Sequence, residues 1–298
     1  MLLLAFGACA EPPATAAAPA APATSAASTA APPPARLPAP DRLVAVGDLH
    51  GDPAATLAVL QLAGLVDDAG AWRGGDDWLV VTGDYTDRGP DSKGVMATLR
   101  RLQREAEAAG GKALILLGNH EVMNMTGDWR YVSEGDLAGY GGAEPRRAAF
   151  APTGEDGAWL RSLDVVAQVG GTVFAHGGVD ARWAEVGVRG INALAKAAVA
   201  GKGPPEVLGS DGPLWNRAYL LGDPVTSCAE LDRALVALSA DRMVVGHTTQ
   251  DSGRVAERCG GRLFGIDTGI SAHYGGHLAA LAIEGARATP LYPTATPQ

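Results

Sequence analysis

Seven residues of metal-ligand or acid–base type stand just after apolar runs: Asp48, His50, Asp84, Asn119, His120, His176 and His247. Each lies within two residues of a glycine, and four of the chain's six histidines are among them. Carboxylates, an amide oxygen and imidazoles together suit first-row divalent metals such as Mn, Fe or Zn. Seven such groups exceed what one ion needs. Two ions that share a bridging carboxylate fit the set better, and such pairs sit roughly 3.5–4 Å apart. A lone histidine at a strand end is usually a structural hydrogen-bonder. Four of them on one edge argue for ligation or proton transfer.

The elements that must position these residues are short and regular. Leu43-Val44-Ala45-Val46 leads into Gly47-Asp48-Leu49-His50-Gly51-Asp52, and Asp52-Pro53 supplies an N-cap and a first helical residue. Leu57 and Leu60 lie at helical spacing in Ala54 to Ala63, with Gly64 as a stop. Trp78 to Thr82 reads as a second strand, emptying into Gly83-Asp84-Tyr85-Thr86-Asp87-Arg88-Gly89-Pro90. A helix follows over about Ser92 to Ala108, and Ala113 to Leu117 then leads to Gly118-Asn119-His120-Glu121. Strand, helix, strand, helix, strand is a βαβαβ unit, with right-handed crossovers that put all three loops on one edge. Chemistry in such folds gathers at the C-terminal ends of strands.

Later in the chain the rhythm breaks and returns. Residues 124 to 160 look like an insertion bordering the site. Thr172 to Ala175 restores a strand ending in His176-Gly177-Gly178. Residues 181 to 225 are irregular again, apart from an Ala-rich helix near Ile191 to Ala200 and the motif Trp215-Asn216-Arg217-Ala218-Tyr219. Ser227 and Glu230 form a capping-box pattern that opens a helix. Met243 to Val245 delivers Gly246-His247, and Arg262 to Ile266 and His277 to Ile283 read as late strands around Ile266-Asp267-Thr268-Gly269. Many of these strands are apolar throughout, as when both faces are covered. The pattern predicts an α/β fold, a two-sheet sandwich flanked by helices with a dinuclear metal site at its strand ends.

Composition bounds the rest. Of 298 residues, those from 10 to 40 are nearly all Ala, Pro, Thr and Ser, and cannot build a core. They read as a linker, and residues 41–298 as one domain. A formal net charge of −9 argues against nucleic acid as a partner. It leaves room for a phosphorylated substrate, because bound metal supplies local positive charge. Phe6-Gly7-Ala8-Cys9 resembles a bacterial lipoprotein box, with residues 1–9 as a truncated signal and Cys9 as the lipidated residue. The missing basic residues and Phe6 depart from that pattern. The expected location is the cell envelope, periplasmic or lipid-anchored, with the cytoplasm as the alternative. Cys228 and Cys259 pair as a disulfide in an oxidising compartment, or are two unrelated thiols; spacing alone does not choose.

In their order, GDLHG, GDYTDRG, GNHE, HGG and VGHT resemble the calcineurin-like metallophosphoesterases, and the Asp87-Arg88 form resembles their phosphoprotein phosphatase branch. GNHEVMNMTGDWRYV, WNRAY and VGHT resemble the bacterial Shewanella-like protein phosphatases. The likeness spans about residues 43 to 285. It implies a metal-dependent phosphomonoesterase acting on phosphoprotein or phosphopeptide at Tyr, Ser or Thr. It implies two divalent ions, manganese foremost, with direct attack by a metal-bridging hydroxide. Asp48 and His50 would bind the first ion, Asp84 both, and Asn119, His176 and His247 the second. His120 would be the general acid, with Asp87 orienting its ring. Arg88 would bind phosphate together with Arg217, Asn119 and Tyr274.

Other residues near these motifs take plainer readings. Glu121 reads as support for its turn, Met123 and Met125 as packing, and His273 and His277 as non-ligands. Arg130, Tyr131, Arg146 and Arg147 could read substrate, with a solvated surface as the simpler expectation. Two other functions fit less of the pattern. A hydrolase of nucleotides or diadenosine polyphosphates shares the core motifs. A non-catalytic binding module would be expected to have lost a ligand position, and none is lost.

Overall fold

The computed structural model describes residues 36–294. Cys9, its flanking motif and the larger part of the Ala/Pro-rich stretch lie outside the described residues. Among the described residues ten strands run in chain order: β1 (Leu43–Val46), β2 (Trp78–Val81), β3 (Lys112–Ile115), β4 (Val166–Val169), β5 (Thr172–Ala175), β6 (Arg242–Val245), β7 (Ala256–Arg258), β8 (Leu263–Gly265), β9 (Ala280–Glu284) and β10 (Arg287–Leu291). They form two five-stranded sheets, ordered β10-β9-β1-β2-β3 and β4-β5-β6-β8-β7.

Each sheet holds a run of three parallel strands, β1-β2-β3 in one and β5-β6-β8 in the other. Antiparallel strands complete the edges. Alternate residues explain why the strands read as unbroken apolar runs. Leu43, Ala45, Val80, Phe174, Val244 and Phe264 face the opposite sheet and form the core between the two. Val44, Val46, Leu79, Val81, Val173, Met243 and Val245 face outward into a second core under the helices. Each large apolar side chain so buried contributes roughly 1.5–3 kcal/mol.

The helices are α1 (Pro53–Leu62), α2 (Ser92–Ala108), α3 (Asn119–Thr126), α4 (Glu134–Tyr140), α5 (Ala143–Phe150), α6 (Glu155–Ser162), α7 (Ala181–Val199), α8 (Ala218–Leu221) and α9 (Pro224–Leu238). Asp52 and Asp91 cap α1 and α2 through their side chains. The segment read as irregular after residue 124 is helical: α4, α5 and α6 fold back on α2, with Arg100 paired to Asp156 at 2.9 Å. The helix expected at Ser227 starts earlier. Asp223 caps it, Pro224 occupies its first turn, and Ser227 and Glu230 instead bond outward to Ala218 O and Ala181 N.

Cys228 in α9 and Cys259 after β7 are joined by a disulfide. Leu37, inside the stretch read as linker, donates to Gln168 O at 2.8 Å and accepts from Gly170 N at 2.9 Å, along the outer edge of β4. Among the described residues no helix is long and apolar enough to cross a membrane.

Candidate active site

All six parallel strands end at one place. β1 delivers Asp48 and His50, β2 delivers Asp84, Asp87 and Arg88, and β3 delivers Asn119 and His120. From the other sheet β5 delivers His176, β6 delivers His247 and Thr249, and β8 delivers Asp267. The loops interlock tightly. A Cβ on Gly118 would stand 2.1 Å from the Asp84 carboxylate, and one on Gly246 would stand 2.4 Å from that of Asp48. At Gly118 and Gly246 a carboxylate of another loop fills the space a side chain would need, and at Gly47, Gly83 and Gly177 the backbone of another loop does.

Glu121 shows how the loops are tied. Its buried carboxylate accepts from the backbone N–H groups of Gly118, Asp84, Tyr85 and Thr86, and from the Thr86 hydroxyl at 2.8 Å. Burial and the Asp84 charge push its pKa up to about 7, against those hydrogen bonds. His50, Asp84, Asp87, Arg88 and His247 all adopt positive φ, between 42° and 69°. Left-handed backbone at non-glycine residues is costly and gathers at functional sites.

The donor atoms form two overlapping sets. His50, Asp84 and His120 make one, Asp84, His176 and His247 the other, each within 4.8 Å, and Asp84 belongs to both. His176 Nε2 lies 3.1 Å from Asp84 Oδ2 and 3.0 Å from Asn119 Oδ1. His50 Nε2 lies 3.9 Å from Asp48 Oδ2. The other nitrogens of two rings face backbone carbonyls, His176 Nδ1 at Thr82 O (3.1 Å) and His50 Nδ1 at Thr86 O (3.3 Å). A carbonyl can only accept, so each contact favours a proton on Nδ1, and Nε2 is then the nitrogen a cation would take.

Electrostatics agree with a cation at this place. Burial pushes the Asp48 carboxyl well up, and the charges of Asp267 and Asp84 push it further. Burial lowers His50 to about 3, and lowers His247 so that its ring is neutral. His247 Nε2 is buried with no hydrogen-bond partner. A crowd of buried carboxylates, neutral imidazoles and an orphaned ring nitrogen is the donor set that divalent ions fit.

His120 differs from the other three. Its Nδ1 is 2.8 Å from Asp87 Oδ2, and its Nε2 faces the site 3.8 Å from Asp84. Although burial opposes its charge, Asp84 and Asp87 raise its pKa. Asp84 is itself held well below the usual carboxylate range by His176 and His120, against its own burial.

Arg88, Arg217, Tyr131, Trp215, Thr249, Asp267 and Tyr274 complete the pocket wall, in a cavity of about 140 Å³. Arg88 stacks on Tyr131 at 3.9 Å, and Tyr274 packs at 4.8 Å from the His50 ring. Asp52 holds the Tyr274 turn by accepting from Ala272 N at 2.9 Å. Arg217 donates to the His247 carbonyl.

Of the site residues expected from sequence, Asp48, His50, Asp84, Arg88, Asn119, His120, Arg217, His247 and Tyr274 line one pocket, while Asp87 and His176 stand behind it against His120 and Asn119. Four residues beside them need separate placement. Arg130 and Arg147 are exposed and paired with Asp128 and Glu144. Tyr131 is a wall of the site. Arg146 is wholly buried behind it, which corrects the expectation of a solvated surface charge. Asp267 follows β8 as the other ligand-type residues follow their strands, and that pattern was its available signal. Asn124 had a weaker one, four residues after His120 on the same face of α3.

The calcineurin-like phosphoesterase family model matches residues 41–251. The chain belongs to this family. As a calcineurin-like phosphoesterase it is a hydrolase of phosphoric ester bonds. An uncharacterized protein of Schizosaccharomyces pombe is 36% identical over 84% of this chain and 79% of its own length. The Shewanella-like protein phosphatase 2 of Arabidopsis thaliana is 33% identical over 79% of this chain and 73% of its own. Among solved structures, the cold-active protein-tyrosine phosphatase of a psychrophilic Shewanella superposes with a TM-score of 0.77 at 28% identity, covering 87% of this chain and 80% of that one. The two-sheet, helix-flanked architecture read from the sequence is therefore the family's fold.

Proposed function

We propose that this phosphoesterase is a metal-dependent protein phosphatase of the cell envelope. The observation that carries the reading is the convergence of two donor sets on Asp84 beside the Asp87–His120 pair and two arginines in one pocket. Relatives named as protein phosphatases support phosphoprotein as the substrate.

In this reading Asp48 and His50 would hold one ion, Asn119, His176 and His247 the second, and Asp84, which belongs to both donor sets, would serve both. Bound there, divalent ions, manganese foremost, supply Lewis acidity and lower the pKa of the hydrolytic water. Arg88 and Arg217 fix the phosphoryl oxygens, for which a planar fork is suited, and Asn119 adds a contact. Arg88 is pre-oriented by its stacking on Tyr131. Tyr274 and Tyr131 wall the approach, so an aromatic phosphoester has rings to pack against. His120 gives a proton from Nε2 to the leaving oxygen, and Asp87 keeps Nδ1 protonated and the ring aligned.

The test uses the whole chain, stripped of metal and reloaded with Mn²⁺, on 4-nitrophenyl phosphate, on phosphotyrosine and phosphoserine peptides, and on diadenosine tetraphosphate. Metal-dependent peptide turnover is expected. Protein that binds two ions yet turns over only dinucleotide polyphosphates would replace this reading with a nucleotide hydrolase. No turnover at all would leave a binding module.

Location in the envelope rests on the Cys228–Cys259 disulfide, which suits an oxidising compartment, and on the Phe6-to-Cys9 motif. Lipidation of Cys9 would tether the domain through its Ala/Pro-rich stretch. Cys9→Ser should then move the protein from the membrane fraction to the soluble one; unchanged partitioning would remove the anchor.

A further inference from the structure

Arg146 is the largest fully buried side chain among the described residues. It lies in α5, outside every motif that carries the resemblance. Burying a guanidinium costs several kcal/mol unless its charge and donors are met. Here they are met in a particular way. Nε donates to Asp136 Oδ2 at 2.8 Å, and Nη1 donates to Asn124 Oδ1 at 2.7 Å. Nη2 stands 3.5 Å from Asp87 Oδ1. The Arg146 Cζ lies 4.4 Å from the Phe150 ring centroid, so an aromatic ring packs against the group.

The consequence reaches His120 by two routes. Because Arg146 claims the Asn124 oxygen, the Asn124 amide must point its nitrogen at Asp87, and Nδ2 donates to Oδ1 at 2.9 Å. That occupies one oxygen of Asp87 and leaves Oδ2 for His120 Nδ1 at 2.8 Å. The second route runs through the backbone. Asp136 accepts from Ser92 N at 2.7 Å, and Ser92 Oγ accepts from Asp87 N at 2.9 Å. A salt bridge serving stability alone would need only Asp136. This one also fixes the carboxylate that orients the imidazole.

We infer that Arg146 is a positioning residue for His120, acting through Asn124 and Asp87. The inference rests on the reading of His120 as the proton donor. A proton donor matters little for a good leaving group and much for a poor one. The readout is therefore the ratio of kcat on 4-nitrophenyl phosphate to kcat on phenyl phosphate, in Mn²⁺-loaded full-length protein with metal content measured alongside.

Arg146→Met should keep both ions and raise that ratio by roughly tenfold, a part of the 10²–10⁴ that a general acid is worth. Arg146→Lys, which keeps the charge without the fork, should fall between. In a His120→Asn background the Arg146 change should add nothing to the ratio, since both act on one step. If Arg146→Met alone does not fold, Arg146→Met with Asp136→Asn removes both buried charges and carries the same expectation. Equal losses on both substrates would mean a structural role only and overturn the inference. If His120→Asn itself leaves the ratio unchanged, the proton-donor reading fails too. If His120→Asn raises it and the Arg146 variants do not, this inference alone fails.

Discussion

The His120 imidazole is held at one nitrogen by Asp87 and turned toward the pocket with the other. Its Nε2 is also close enough to Asp84 and His50 to count as a donor in the first metal set. These two uses separate experimentally. His120→Asn should retain two ions per chain and lower kcat on phenyl phosphate by about 10²–10⁴. Elemental analysis beside steady-state kinetics checks it, and loss of one ion would make His120 a ligand. The candidate ligands were legible in the sequence because each sits near a glycine after an apolar run. Arg146 was not. Beside it Arg147 pairs with Glu144 in solvent, and no local pattern distinguishes the buried arginine from the exposed one. Only folding α5 against α3 and α4 gives it Asn124 and Asp136 as partners.

At the level of elements, six parallel strands and the glycine turns after them do most of the positioning. Glu121 is the fastener between the β2 and β3 turns, since its carboxylate meets N–H groups from both. Glu121→Gln replaces one acceptor oxygen with a donor and leaves buried N–H groups unmet. A loss of about 1–3 kcal/mol is expected, with weaker metal binding because Asp84 sits on the loosened turn. Urea unfolding in chelator and metal titration measure the two effects separately; unchanged stability would show that water replaces the lost acceptor. The parallel strands were legible from their apolar runs. The edge strands β7 and β10 were not, because Ala256–Arg258 is short and polar and β10 carries Pro290. Those are features that protect an exposed sheet edge and hide a strand from pattern reading. The α9 start was misplaced for a related reason: Ser227 and Glu230 have the residue types of a cap but spend their hydrogen bonds on neighbouring segments.

Over the whole molecule, the site draws residues from Asp48 to Tyr274 and from both sheets, so it exists only when the sandwich is complete. The Cys228–Cys259 link closes a loop with a sequence separation of 31. Replacing both with serine should cost about 3–4 kcal/mol by loop entropy, read from urea unfolding curves fitted with a free m-value, which should rise because the unfolded chain without its cross-link exposes more surface. Metal content of the folded protein should stay the same, because neither cysteine approaches the pocket. A cost near zero would mean that β7 and α9 are held fully by other contacts. Leu37 has a different bearing on the molecule. It lies along the open side of β4, whose four residues are all buried, and satisfies backbone groups of Gln168 and Gly170 there. A chain cut to begin at Asp41 would bare that strand as a template for a second molecule. Sedimentation of such a chain beside one beginning at Pro34 should show concentration-dependent self-association only in the shorter, and matching profiles would show that β4 does not need its cover. The few residues ahead of the first core strand would then act as a guard against aggregation.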